Sequence, residues 1–289
     1  MIRRDNGPAF PLSNTRIIAL IDLLGDENTA VARAARTELM RAGRTALEAI
    51  EAAASADGPR LRLRARQLLD VVRTTVATED LAALLATGEP DLETALVLLA
   101  QTEHPILRAD EVGAALDELA HGVNVAKRAM NGPEASVHAL VHELFAVRGF
   151  SGRAAELEQI ESSLIDEVLR TRRGIPVSLA AVAMLVGRRC GLSMAGIGTP
   201  GHFLVQIGDG SRQHVLDACS GKLLTRAACR ALLAGFRIEF KDEFLATVPD
   251  KELLKRTLRN LHRLHMGRED DVRVQRVRTL LAAAGEQVP

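Results

Sequence analysis

Residues 164–192, LIDEVLRTRRGIPVSLAAVAMLVGRRCGL, lead into GIGTPGHFLVQI at 196–207 and VLDACSG at 215–221. In the first stretch, Pro176 suits the first position of a helix and Gly191 suits its stop. Arg188 and Arg189 fall in the last turn, where positive charge complements the helix dipole. Between these limits Val177, Leu179, Ala181, Val182, Met184, Leu185 and Val186 leave almost no polar side, and a helix apolar all round is buried. The next two stretches read as β structure, with short strands at 195–197 and 203–207. Asp209-Gly210 is the dipeptide that a two-residue type I′ hairpin turn requires. A turn centred there pairs Gly208 with Ser211 and Ile207 with Arg212. Carried outward, the same register sets His202 opposite Asp217, within side-chain reach on one face.

A buried helix followed by a hairpin that carries a His–Asp pair is the skeleton of papain-like catalysis. There a thiol at the helix N-terminus is activated by the dipole and an imidazole, and the acid fixes the imidazole's tautomer. His202 and Asp217 fill the last two roles. The GIP turn opening a helix, the PGHFLV strand and the acid on the following strand resemble the signature of SirB-type transglutaminase-like proteins. Upstream, ELFAVRGFSG (143–152) and the helices of 79–122 are also similar to that family, as is RTLRNLHRLH (256–265) with the helix after it. The resemblance covers roughly residues 79 to 289.

The resemblance implies a cleft at Gly174, Pro176, Pro200 and Gly201. It also implies a departure from active transglutaminase-like enzymes, which start this helix with a Gly-X-Cys turn. Here the corresponding residues are Gly174-Ile175-Pro176, and proline has no nucleophilic side chain. Two other residues are candidate nucleophiles. Ser178 lies in the first turn but about 200° round the helix from position 176, where its hydroxyl is apt to bond local backbone. Cys219 stands two residues beyond Asp217. Cys190, at the far end of the helix, and Cys229, in a later helix, read as structural.

Working outward, residues 1–76 read as short amphipathic helices, at 17–24, 31–42, 45–54 and 61–72, arranged in the manner of HEAT-type repeats. Residues 77–248 form the expected transglutaminase-like domain, entered through helices at 80–86, 91–101, 110–120 and 136–147, with another at 160–170. Residues 249–289 form a helical tail, 251–265 and 270–284, resembling a tetratricopeptide-like pair. The expected fold class is α+β: mostly helical, with a small antiparallel sheet in a papain-like core.

Composition bounds the function. The 289 residues carry 37 Lys+Arg and 37 Asp+Glu, so no global field draws nucleic acid or membrane. Neither Trp nor Tyr is present, which removes the strongest stacking platforms for single strands. Arg60, Arg62, Arg64 and Arg66 alternate with apolar residues and read as a solvated helix face rather than a nucleic-acid patch. Three cysteines without CxxC or metal-ligand spacing suit a reducing compartment, and no apolar run has membrane-spanning length. The resulting expectation is a cytoplasmic protein without metal or cofactor. It binds a protein or peptide partner through a non-catalytic cleft. The alternative is a cysteine- or serine-dependent hydrolase or acyltransferase that uses His202 and Asp217.

Overall fold

Helices account for most of the chain in the computed structural model, which describes residues 12–132, 134–208 and 212–287. Two units are distinguished: Met1–Glu79 with Gln101–Ile106, and Asp80–Ala100 with Leu107–Pro289.

The first unit contains α1 (Asn14–Leu24), α2 (Thr29–Ala42), α3 (Leu47–Ala53) and the N-terminal part of α4 (Pro59–Ala86). Ser13 and Asn28 cap α1 and α2, their side-chain oxygens accepting from the N–H groups of Arg16 and Ala30. Leu24, Leu39, Ile50, Leu68 and Val72 form the centre of its core. Of the four alternating arginines, Arg60 and Arg66 are exposed, as a solvated face requires, but Arg62 and Arg64 are half-buried. Arg64 donates to the carbonyls of Leu24 and Asp26 at 2.9 and 2.7 Å, Arg66 to that of Ala54 at 3.1 Å, and Arg62 to that of Ala56 at 3.0 Å. Arg60 pairs with Glu27 at 3.1 Å. Arg64 and Arg66 thereby satisfy orphan carbonyls where α1 and α3 end, as cations at helix C-termini do. The helices expected at 61–72 and 80–86 are one, because 73–79 contains neither Gly nor Pro to break it.

The second unit opens with the rest of α4, then α5 (Leu92–Glu103) through Ala100, α6 (Ala109–Arg128) and α7 (Ala135–Val141), which runs on as a π-helical turn, His142–Val147. In place of one helix at 160–170 there is a 3₁₀ turn, Glu161–Ser163, and then α8 (Ile165–Thr171). α9 (Pro176–Arg189) is buried at every position from Val177 to Gly187 and packs across β1 (Ser193–Ile197) and β2 (Leu204–Gly208). β3 (Gln213–Asp217), β4 (Lys222–Leu224) and, after α10 (Arg226–Gly235), β5 (Thr247–Val248) complete an antiparallel sheet of order β4-β3-β2-β1-β5. α11 (Asp250–Gly267) and α12 (Asp271–Ala283) close the chain.

The turn residues Asp209 and Gly210 lie outside the described residues, but the strand register on either side is clear. Ile207 pairs with His214 and Gly208 with Gln213, two residues away from the partners expected of a two-residue turn. A shift of two preserves the face of every side chain, since the strand period is two. His202 and Asp217 therefore stay on one face despite the wrong register.

The second unit's helices are tied so as to place α11 beside the start of α9. Arg188, in the last turn of α9, makes a two-pronged ion pair with Asp250, the first residue of α11, at 2.6 and 2.8 Å. α11 then runs back along α9. At 1.5 Å per residue, the step from Asp250 to Arg263 is about 20 Å, about the length of α9. Its middle turns thus reach the other end of α9, where Asn260 donates to the hydroxyl of Ser163 at 2.9 Å.

Candidate functional site

His202 sits in the turn before β2, and that turn is held from within. The Thr199 hydroxyl donates to the His202 carbonyl at 2.7 Å, and the His202 N–H donates back to the Thr199 carbonyl at 3.3 Å. Gly201 takes φ +75°, a conformation that side-chain-bearing residues rarely adopt. The ring of Phe236 stacks on the imidazole with centroids 6.0 Å apart. Across the sheet, Asp217 ends β3 and accepts three hydrogen bonds. They come from His202 Nε2 at 2.9 Å, the Cys219 N–H at 3.0 Å and the Ser220 hydroxyl at 2.6 Å. An ionised carboxylate only accepts, so Nε2 carries the imidazole proton and Nδ1 is left without a partner among the described residues. Both residues are buried, at 7% and 6% exposure. Burial alone raises the Asp217 pKa, but the donors from His202, Ser220 and Cys219 outweigh it and hold the carboxyl below its ordinary value.

His202 opens onto a cavity of about 410 Å³ at the N-terminal end of α9. Leu157, Ile175, Pro176 and Val177 provide its apolar wall, and Gly201 lies at its edge. The opposite wall is one face of α11: Arg256, Arg259, Asn260 and Arg263, at the i, i+3, i+4, i+7 spacing that aligns side chains on a helix. Arg259 is neutralised by Glu286 at 2.6 Å and Arg263 by Glu158 at 3.2 Å. Arg256 has no carboxylate partner among the described residues; it donates to the Thr199 carbonyl at 2.8 Å and so buttresses the His202 turn. Burial and the neighbouring Arg259 both push its pKa down.

Of the residues expected at the site, Pro176, Gly201 and His202 line this cavity, with Asp217 behind His202. Gly174 and Pro200 do not line it. A Cβ at Gly174 would come within 2.7 Å of the Ser178 oxygen. Ser178 is 2% exposed, and its hydroxyl donates to the Ser162 carbonyl at 2.6 Å while accepting from the Ile175 N–H at 3.1 Å. Cys219 lies closer to the pair: its sulfur, a His202 nitrogen and an Asp217 oxygen fall within 4.8 Å of one another. Burial, with the negative charges of Asp217 and Glu156, pushes its thiol up to about 12. Those three side chains are the donor types a soft cation takes. Here they are built as a hydrogen-bonded cluster, with both Asp217 oxygens engaged by protein donors and the thiol held protonated. Arg256 and Thr199 were missed by the sequence reading. The spacing of Arg256, Arg259 and Arg263 in RTLRNLHRLH is a usable signal, but nothing local says which body that face meets.

Gly152 joins the two halves of the site. Its N–H donates to the Cys219 carbonyl at 3.2 Å. A Cβ there would lie 2.7 Å from the Cys219 sulfur and 2.9 Å from the Gly174 carbonyl oxygen. Gly152→Ala is therefore expected to lose about 1–3 kcal/mol, the usual cost of overpacking, read as a lower urea midpoint with an unchanged slope.

A helix buried against an antiparallel sheet, with a His–Asp pair at its N-terminal end, defines a transglutaminase-like domain. The family model for the transglutaminase-like superfamily matches residues 110–259, and the chain belongs to that superfamily. It is similar to a UPF0162 protein of Pseudomonas aeruginosa, 37% identical over 110 residues, which is 37% of this chain and 40% of the relative. It is also similar to a UPF0162 protein of Xylella fastidiosa strain Temecula1, 29% identical over 208 residues, 69% of this chain and 71% of the relative. A UPF0162 protein of Vibrio cholerae is 30% identical over 114 residues, 38% of this chain and 42% of the relative. The chain thus spans about two-fifths of the Pseudomonas and Vibrio proteins it matches. No solved structure matches it at a significant level. No helix among the described residues is long and apolar enough to cross a membrane.

Proposed function

We propose that the chain is a cytoplasmic, SirB-type transglutaminase-like protein that binds a protein or peptide segment in its cleft without catalysis. The observation that carries this reading is Pro176, which lines the cavity beside His202 at the first helical position. By resemblance, thiol enzymes of the superfamily place their cysteine there. Ser178 supports the same reading, because its single proton is committed to a backbone carbonyl. The first-unit helices, HEAT-like in pattern, and α11–α12, resembling a tetratricopeptide pair, supply further surface for a partner.

The proximity of Cys219 to His202 and Asp217 favours a second reading, a thiol-dependent hydrolase or acyltransferase. Its high pKa weighs against that. A thiol at about 12 leaves about one thiolate in thirty thousand at pH 7.5, whereas an ordinary cysteine is about one-tenth ionised. Iodoacetamide should therefore modify Cys219 about a thousandfold more slowly than a free thiol, as followed by mass spectrometry of the native protein. Activity-based thiol and serine probes should label neither Cys219 nor Ser178. Labelling of the unmodified protein that Cys219→Ala or Ser178→Ala abolishes would instead establish the enzyme.

A further inference from the structure

The cavity at the start of α9 has an unequal charge balance. No Asp or Glu lines it among the described residues, while three arginines do. Two of the three are already neutralised, Arg259 by Glu286 and Arg263 by Glu158. Among the described residues, Arg256 has a backbone carbonyl but no carboxylate for a partner. A partly buried cation without a counter-ion is costly unless an anion arrives to meet it. The first-turn N–H groups of α9, which the helix itself cannot satisfy, add a positive partial charge at the same end.

A second, independent observation points to a ligand. His202 is 7% exposed, lines the cavity, and its Nδ1 has no partner among the described residues. With Nε2 donating to Asp217, the neutral imidazole offers Nδ1 as an acceptor. The site therefore calls for one negative charge, one N–H group and one apolar group, the last to cover Leu157, Ile175, Pro176 and Val177. A single unneutralised guanidinium matches a singly charged carboxylate better than a phosphate dianion.

We infer that this cavity captures the C-terminal residue of a partner peptide, its free carboxylate paired with Arg256, its N–H donated to His202 Nδ1 and its apolar side chain laid against Pro176. The inference rests on the peptide-binding reading above and names the chemistry that the cleft selects. The volume, about 410 Å³, lies in the range of pockets that enclose a single small ligand. End-carboxylate capture by a cation and backbone N–H groups is a recurring mode of peptide recognition.

The test uses the full chain and random heptapeptides anchored by their N-termini, displayed with free or with amidated C-termini. The expected result is retention on the free-acid display alone, with Leu, Ile, Val or Phe enriched at the last position. Arg256→Gln should weaken retention at least tenfold, and Arg256→Lys, which keeps the charge, should lose less. Equal retention on both displays, unaffected by Arg256→Gln, overturns this inference and leaves the peptide-binding reading standing. Retention on neither display overturns both. The free-versus-amidated contrast is read on the unmodified protein, so it decides the matter even where Arg256→Gln loosens the Thr199 turn and fails to fold.

Discussion

Phe203→Ala is expected to cost about 3–5 kcal/mol of unfolding stability, among the largest losses a single substitution here can produce. Phe203 is 1% exposed, the largest of the fully buried side chains, and directly follows His202 at the mouth of β2. Its ring occupies the space where Gly196 of β1 lacks a side chain: a Cβ on Gly196 would lie 2.7 Å from Cζ of the ring. Removing the ring loses its transfer free energy and leaves a void that a sheet packed on α9 cannot close. The reciprocal change, Gly196→Ala, overpacks the same spot and should cost about 1–3 kcal/mol. Because both act on one contact, the double variant Phe203→Ala/Gly196→Ala should be less destabilised than the two losses added together. Urea unfolding of the four proteins measures this directly. Strict additivity would show that the ring and the glycine do not share that space.

Asp217→Ala ranks with it, at about 3–5 kcal/mol, by a different mechanism. The carboxylate is the common acceptor for the His202 ring, the Cys219 N–H and the Ser220 hydroxyl. Deleting it strands the buried His202 ring N–H and the half-buried Cys219 N–H, each costing about 1–3 kcal/mol when left unsatisfied, while the Ser220 hydroxyl is exposed and can turn to water. Asp217→Asn keeps an acceptor oxygen and should lose less, but it also removes a titration. The Asp217 pKa is lowered on folding, so the unfolded chain binds the proton more tightly than the folded one. Its stabilising contribution is thus fully present above the ordinary aspartate value of about 3.9. It disappears as pH falls through the lower folded-state value. The stability gap between the native protein and Asp217→Asn should accordingly narrow as pH falls below about 4. A gap that does not change between pH 6 and 3 would show that the carboxyl is not held ionised by its donors.

Much of the site was legible because it is local. The helix α9 announces itself by Pro176, Gly191 and an unbroken apolar run. Its neighbour strands carry alternating patterns and a plain His–Asp pair. The hairpin register was wrong by two residues, since the identity of a turn dipeptide does not determine how many residues the loop holds. The pairing of His202 with Asp217 survived only because a shift of two keeps side chains on one face. The long α4 was read as two helices, at 61–72 and 80–86, although nothing in 73–79 sterically prevents one continuous helix. The arginines of α4 were read as a solvated face because spacing shows which side of a helix they share, but not that Arg64 and Arg66 meet the carbonyls at the ends of α1 and α3.

The sequence by itself determined the α+β class, the buried helix, the His–Asp pair and the proline at the head of the helix, for these depend on periodicity and on residue chemistry within a few turns of chain. Only the tertiary structure decided that Arg256, 54 positions after His202 in the numbering, buttresses the same turn and faces the same cavity without a carboxylate partner among the described residues. It likewise decided that the Ser178 hydroxyl is spent on Ser162 and that the Cys219 thiol is half-buried beside two carboxylates. Those properties depend on which groups a charge or a hydroxyl meets across the fold, and Coulomb attraction and desolvation act through space rather than along the chain.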